Sequence, residues 1–114
     1  DIFSISDTIG CANDKDVSYL FNNLIPAIEN VEFGAHMHVV KENASKIISS
    51  AYNAGCRRFD GAIKGYGGCP MAEDKLTGNM PTEDMLSWFS ENKINSGIDL
   101  KKFNESLSLS SSIF

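Results

Sequence analysis

Apolar positions along the chain switch repeatedly between strand-like and helix-like rhythm. Ile2 to Ile5 is a short β-leaning stretch that stops at Ser6-Asp7-Thr8-Ile9-Gly10, a loop with turn chemistry. Asn13-Asp14 suit an N-cap and first turn. Val17, Leu20, Phe21 and Leu24 then recur at steps of three and four, one apolar helix face. Pro26 disfavours helical backbone at Ile25, so the helix is expected to end near there. Val31 to His38 predicts a second strand, leading to a polar turn at Lys41-Glu42-Asn43. Ala44, Ile47, Ile48, Ala51 and Tyr52 make a second amphipathic helix, closed by Asn53-Ala54-Gly55 in the manner of a C-cap. Arg58 to Ile63 predicts a third strand.

A glycine-rich stretch, Gly65-Tyr66-Gly67-Gly68-Cys69-Pro70, opens a loop that runs to Asn79. Pro81-Thr82-Glu83-Asp84 starts a third helix, its acidic residues in the turn where the helix dipole favours them. Met85, Leu86, Trp88 and Phe89 supply its buried side. Leu100, Phe103 and Leu107 suggest a fourth helix, with fraying expected from Ser108. Strand, loop and helix thus follow one another three times, in units at about 1–30, 31–55 and 56–95, with a last helix at 99–109. Such alternation predicts an α/β fold of parallel strands joined by right-handed crossovers. Chemistry in that architecture sits on loops at the carboxyl ends of the strands. Asp7, the pair His36 and His38, and Cys69 each follow or end a predicted strand there.

Composition narrows the classes. The 114 residues are 42% hydrophobic and 22% charged, a globular mixture sized for one domain at most. No apolar run approaches the ~18 residues of a membrane span. Ten basic against fifteen acidic side chains give a net charge of -5, and the only adjacent basic pairs are Arg57-Arg58 and Lys101-Lys102. That balance argues against nucleic acid or an anionic membrane as partner. Cys11, Cys56 and Cys69 are odd in number, widely spaced and without a CxxC, so reduced thiols are expected rather than a disulfide framework or zinc ribbon. The opening Asp1-Ile-Phe-Ser-Ile-Ser has no Met and no signal-like segment. It reads as the middle of a strand, with chain expected upstream.

Three groups of residues carry candidate chemistry. His36 and His38 lie two apart on a strand, so both imidazoles can converge on one point and could ligate a divalent metal. Two structural histidines at a strand end fit the same pattern. Gly67-Gly68-Cys69-Pro70 places a thiol in a loop that could close over a ligand, though a tight turn holding an inert cysteine fits equally. Cys56, just after a helix C-cap, reads as packing. Asn79 follows Gly78 and is first of all a turn residue, although an amide oxygen is a legitimate hard-metal ligand. Asp7 could be an N-cap, a substrate contact or a base. Glu83 and Asp84 read as helix-start chemistry.

Taken together, these pieces resemble the carboxyl-terminal part of the 3-hydroxy-3-methylglutaryl-CoA lyase family, TIM-barrel metallolyases that carry a metal-binding DRE motif on their first strand. The resemblance runs through Ser6-Asp7-Thr8-Ile9-Gly10, Gly34-Ala35-His36-Met37-His38, Gly65-Tyr66-Gly67-Gly68-Cys69-Pro70, Thr77-Gly78-Asn79 and Pro81-Thr82-Glu83-Asp84, in the family's order. The HxH is shared with related condensing enzymes and aldolases, whereas the Gly-Gly-Cys-Pro loop followed by Gly-Asn and Thr-Glu-Asp is more specific to the lyase. The resemblance implies the last three units, strands 6–8, of a (β/α)8 barrel, which as a whole takes ~250 residues. It implies that His36, His38 and Asn79 ligate Mg2+ or Mn2+, and that Cys69 serves acid–base chemistry. Asp7 becomes a carboxylate near the substrate hydroxyl, and Gly67 and Gly68 belong to a substrate loop. A further Asp ligand and a catalytic Arg belong to the family's first strand.

The implied reaction is retro-Claisen cleavage of 3-hydroxy-3-methylglutaryl-CoA to acetyl-CoA and acetoacetate. The implied partner is an acyl-CoA substrate, with no nucleic acid and no membrane, and the full-length enzyme is expected to be a homo-oligomer. A bacterial cytoplasm is expected ahead of a mitochondrial matrix. Val39, Tyr66 and a slightly long Met71–Gly78 stretch depart from the family pattern without removing a ligand. Alternatives are a related barrel condensing enzyme or aldolase, separable by product analysis, and a non-catalytic half-barrel that complements another chain. Alone, three strands would leave two open edges and an apolar inner face, so the isolated chain is expected to be inactive and poorly soluble, dimeric or molten.

Overall fold

The computed structural model describes residues 1–68 and 77–113. Its core is a parallel sheet in the order β1 (Ile2–Asp7), β2 (Glu32–Val39), β3 (Arg58–Asp60). The register pairs Ser6 with His36 and His36 with Asp60. Helices α1 (Asp14–Ala27), α2 (Ala44–Asn53) and α3 (Thr82–Glu91) follow the strands, α1 packing on α2 and α2 on α3. The last helix, α4, is Leu100–Ser110.

Local chemistry explains the helix starts. The Asn13 side chain accepts from the N–H groups of Lys15 and Asp16, and the Asp16 carboxylate accepts the Asn13 N–H in return, a reciprocal cap that fixes where α1 begins. Asp99 caps α4 through Lys101 and Lys102. The helix α1 does not end at Ile25: it runs on to Ala27 with Pro26 inside. Pro26 has no N–H to give the Asn22 carbonyl, so the ladder loses one bond, but its fixed φ is itself helical and the helix ends one residue later. Nor does α4 fray at Ser108. Ser106 and Ser108 hydroxyls donate to the carbonyls of Lys102 and Asn104, and the helix continues to Ser110.

Two strand assignments change. β3 is only three residues, because the chain leaves the sheet at Gly61, where a Cβ would lie 2.7 Å from the Met80 carbonyl oxygen and 2.4 Å from the Met85 methyl. A 3-10 turn, Ile63–Gly65, follows, with Lys64 at φ 56°. The second change is a strand the sequence pattern did not predict. β4 (Gly78–Asn79) pairs antiparallel with β2, placing His38 opposite Asn79 and Val39 opposite Gly78. The next residue locks it in: Met80 N–H donates to the Met37 carbonyl, and Ala62 N–H donates to the Met80 carbonyl.

The alternation of side chains gives the sheet two unlike faces. Phe33, Ala35, Met37 and Val39 of β2 are buried against Val17 and Phe21 of α1 and Ile47, Ile48 and Ala51 of α2. The opposite face carries Ser4 and Ser6, then Glu32, Gly34, His36 and His38, then Arg58 and Asp60. The expectation of an apolar inner face is therefore corrected: apart from Ile2 at the start of β1, the uncovered face carries Ser, Gly, His and charged residues on all three strands. The core lies wholly on the helix side.

Candidate active site at the carboxyl ends of the strands

Strand period and register bring three of the predicted residues together. His36 and His38 share a face because they are two apart on β2, and their ring centroids lie 5.5 Å apart in an edge-on arrangement. Asn79 joins them as the cross-strand partner of His38, and directly opposed residues project to the same face. Their polar atoms are already sorted. His38 Nδ1 lies 3.0 Å from the Asp7 carbonyl oxygen, which can only accept. Nδ1 therefore carries the proton, and Nε2 keeps a free lone pair. The Asn79 amide nitrogen donates to the Tyr66 carbonyl at 2.8 Å and to the Gly67 carbonyl, and among the described residues no donor to its Oδ1 is seen. Two imidazole nitrogens and one amide oxygen are the donors these three residues could offer.

That set suits an octahedral divalent ion with positions left for substrate oxygens and waters, rather than a closed tetrahedral cage. Among the described residues, no group of three or more His, Cys, Asp or Glu side chains comes together as a metal site.

Asp7 sits beside this group with both carboxylate oxygens engaged. Its Oδ1 accepts from Gly10 N–H at 3.0 Å, its Oδ2 from Ala12 N–H at 2.7 Å, and Cys11 Sγ lies 3.8 Å from Oδ1. The carboxylate thereby shapes the loop after β1. Gly10, at φ 68°, packs there against His38 and Thr77, and a Cβ would stand 2.4 Å from the Thr77 methyl.

Gly67 and Gly68 form one side of the loop's neck. Asn79 N–H donates to the Gly67 carbonyl at 3.3 Å, and a Cβ on Gly68 would meet the Thr77 carbonyl oxygen at 2.9 Å. Cys69, the predicted acid–base thiol, lies outside the described residues. Cys56 is fully buried, as its reading as a packing residue required. Burial pushes its thiol above the ordinary value near 9, against the lowering effect of hydrogen bonds to the backbone. Glu83 is helix-start chemistry and also steadies the turn after β3, where its carboxylate accepts the Lys64 N–H at 3.0 Å.

Sequence reasoning passed over two residues beside the histidines. Asp60 lies across β3 from His36, with Oδ2 3.6 Å from His36 Nδ1, and Ser4 Oγ donates to the same oxygen at 2.9 Å. The signal was the alternation Ser4/Ser6, His36/His38, Arg58/Asp60, a polar stripe on every strand. A cavity of about 540 Å3 lies elsewhere, lined by Tyr52, Arg57, Phe59, Met85 and Phe89 among others.

A parallel α/β sheet with its donor groups gathered at the carboxyl ends of the strands defines the class: an α/β protein of the kind from which TIM barrels are built. The chain belongs to the HMGL-like family, whose model matches residues 1–109. It is 32% identical to the (R)-citramalyl-CoA lyase of Chloroflexus aurantiacus over 84% of this chain and 30% of that protein. It is 31% identical to the hydroxymethylglutaryl-CoA lyase YngG of Bacillus subtilis over 87% of this chain and 33% of that one. Among solved structures, the Bacillus HMG-CoA lyase superposes with a TM-score of 0.84 at 28% identity, covering 96% of this chain and 36% of the other. An HMG-CoA lyase from Acenitobacter baumannii, in complex with coenzyme A and 3-methylmalate, gives 0.75 at 34% identity, covering 86% and 32%. The chain thus spans about a third of the length of the relatives it matches.

Proposed function

We propose that the chain forms the last three units, strands 6–8, of a barrel lyase that cleaves 3-hydroxy-3-methylglutaryl-CoA to acetyl-CoA and acetoacetate. The observation that supports the reading is the register of β2 and β4, which pairs Asn79 with His38, two residues from His36 on the same strand. In this reading His36, His38 and Asn79 hold Mg2+ or Mn2+. When bound, the ion supplies Lewis acidity to the substrate's hydroxyl and carboxylate oxygens.

The chain's own residues supply the rest. Asp7 holds the β1 loop through Gly10 and Ala12, and its role as a carboxylate near the substrate hydroxyl is the one the resemblance implies. Gly67 and Gly68 belong to the substrate loop in this reading. The hydroxyl proton leaves to a base, the carbon–carbon bond breaks to give acetoacetate and the enolate of acetyl-CoA, and Cys69 protonates that enolate carbon. The ion's remaining protein ligand and the catalytic Arg come from the rest of the barrel, so the 114 residues alone are inactive. The acyl-CoA partner, an oligomeric full-length enzyme and a cytoplasmic site of action belong to the same reading.

A second substrate has a specific observation in its favour, the 32% identity to a citramalyl-CoA lyase. Titration calorimetry of Mn2+ into the complete barrel tests the metal reading. Stoichiometric binding is expected, weakened at least ~100-fold in His36→Ala or His38→Ala; equal affinity in both variants refutes it. Acetyl-CoA release from the two substrates, side by side, decides between them.

A further inference from the structure

We propose that Asp60, anchored by Ser4, is the positioning residue that holds His36 with Nδ1 protonated and Nε2 free. The inference builds on the metal reading for its purpose, but the tautomer is a property of the chain without metal.

The two histidines are supported alike by unrelated means. His38 Nδ1 faces the backbone carbonyl of Asp7 at 3.0 Å, and His36 Nδ1 faces the Asp60 carboxylate at 3.6 Å. Both oxygens are acceptors only, so both rings are steered to the same tautomer. The two sources differ in kind: one is fixed main chain, the other a side chain that needs an anchor of its own. Ser4 provides it, donating from Oγ to Asp60 Oδ2 at 2.9 Å. Ser4 and Asp60 belong to β1 and β3, and they meet across β2 because the β2 residue in register with Ser4 is Gly34, without a side chain. Arg58, the β3 partner of Gly34, lies over that glycine, and its Nη1 is 3.9 Å from Glu32, away from Asp60.

At 3.6 Å the His36–Asp60 contact is longer than a hydrogen bond and acts on the ring as a nearby acceptor charge. The reason such a carboxylate matters is that an imidazole with its proton on Nε2 presents N–H where a lone pair is wanted. Groups that fix ring and tautomer are worth roughly 10–100-fold in metal affinity.

The test is 15N–1H correlation of the histidine rings in the metal-free full chain near pH 8, with Mn2+ affinity measured alongside. Both rings are expected as Nδ1–H. In Asp60→Ala, His36 shifts to mainly Nε2–H while His38, held by main chain, does not, and Mn2+ affinity falls 10–100-fold. Ser4→Ala shifts His36 in the same direction and by less. A His36 ring that is Nε2–H in the unaltered chain, or that stays Nδ1–H in Asp60→Ala, overturns the proposal. If Asp60→Ala also disturbs His38, the fold is affected and Ser4→Ala decides: no shift of His36 there overturns it. A tautomer shift in a chain that binds no Mn2+ upholds Asp60 as the positioning residue and removes the metal reading instead.

Discussion

Single residues at this site hold their neighbours before they do any chemistry. Asp7 is the clearest case: its side chain ties down two loop amides while its main-chain carbonyl orients His38. Removing the carboxylate strands two N–H groups in a half-buried loop, and hydrogen bonds to a charged acceptor contribute about 1.5–3 kcal/mol. Asp7→Ala should lower unfolding stability by that amount in urea titrations, with Asp7→Asn recovering part of it through its remaining oxygen. Cys56 gives a pH signature. Its thiol is held above the usual value near 9, so above that pH the unfolded chain loses the proton first. The folded state then binds more protons than the unfolded one, and stability present below about pH 9 declines as pH rises towards the folded value. Urea melts at pH 8 and pH 10 should differ more in the parent than in Cys56→Ala.

At the scale of elements, what was legible followed periodicity. The helix faces and the shared face of His36 and His38 came directly from steps of 3.6 and 2. Two-residue β4 has no period to read, so its pairing with β2 could not come from pattern; by pattern Asn79 was a turn residue, and only the family resemblance set it beside the histidines. Pro26 misled for a related reason, since a local preference against helix is weak in a final turn that packs well. The short β3 reflects contacts of Gly61 with Met80 and Met85 that no local pattern encodes. The neck of the loop depends on glycines in the same way. A Cβ on Gly78 would meet the Gly65 carbonyl oxygen at 2.7 Å, and one on Gly65, at φ 66°, would meet that of Asn79 at 2.7 Å. Both neighbours are backbone and cannot swing aside. Gly65→Ala and Gly78→Ala should each cost about 1–3 kcal/mol and expose the Asn79 N–H to faster hydrogen exchange, while protection on α1 stays unchanged.

Over the whole molecule, the sheet is a ribbon with a packed side, a wet side and two edges. Ile2 and Phe3 on edge strand β1 are 53% and 50% exposed, and Tyr19, Leu20 and Ile28 in and just after α1 are also exposed. An edge strand with apolar side chains invites pairing with another chain. Sedimentation of the isolated chain should therefore show concentration-dependent association, reduced by Phe3→Lys; a monomer at every concentration, unfolding in one sharp transition, would contradict this. The polar stripe does not share in that tendency, so association should leave His36 and His38 accessible. The fold class was readable because each of three units repeats the same order of elements. The character of the open face was not, because it is a property of three strands side by side and belongs to none of them singly.

The splice at Met80 has a mechanical consequence. Its N–H donates to Met37 and its carbonyl accepts from Ala62, which holds β4 between β2 and the segment after β3. Asn79 therefore cannot shift independently of the neck formed with Tyr66 and Gly67. The neck and the residue opposite His38 are one part, so a displacement at Tyr66 or Gly67 is carried through Asn79 into the edge of the sheet at β2.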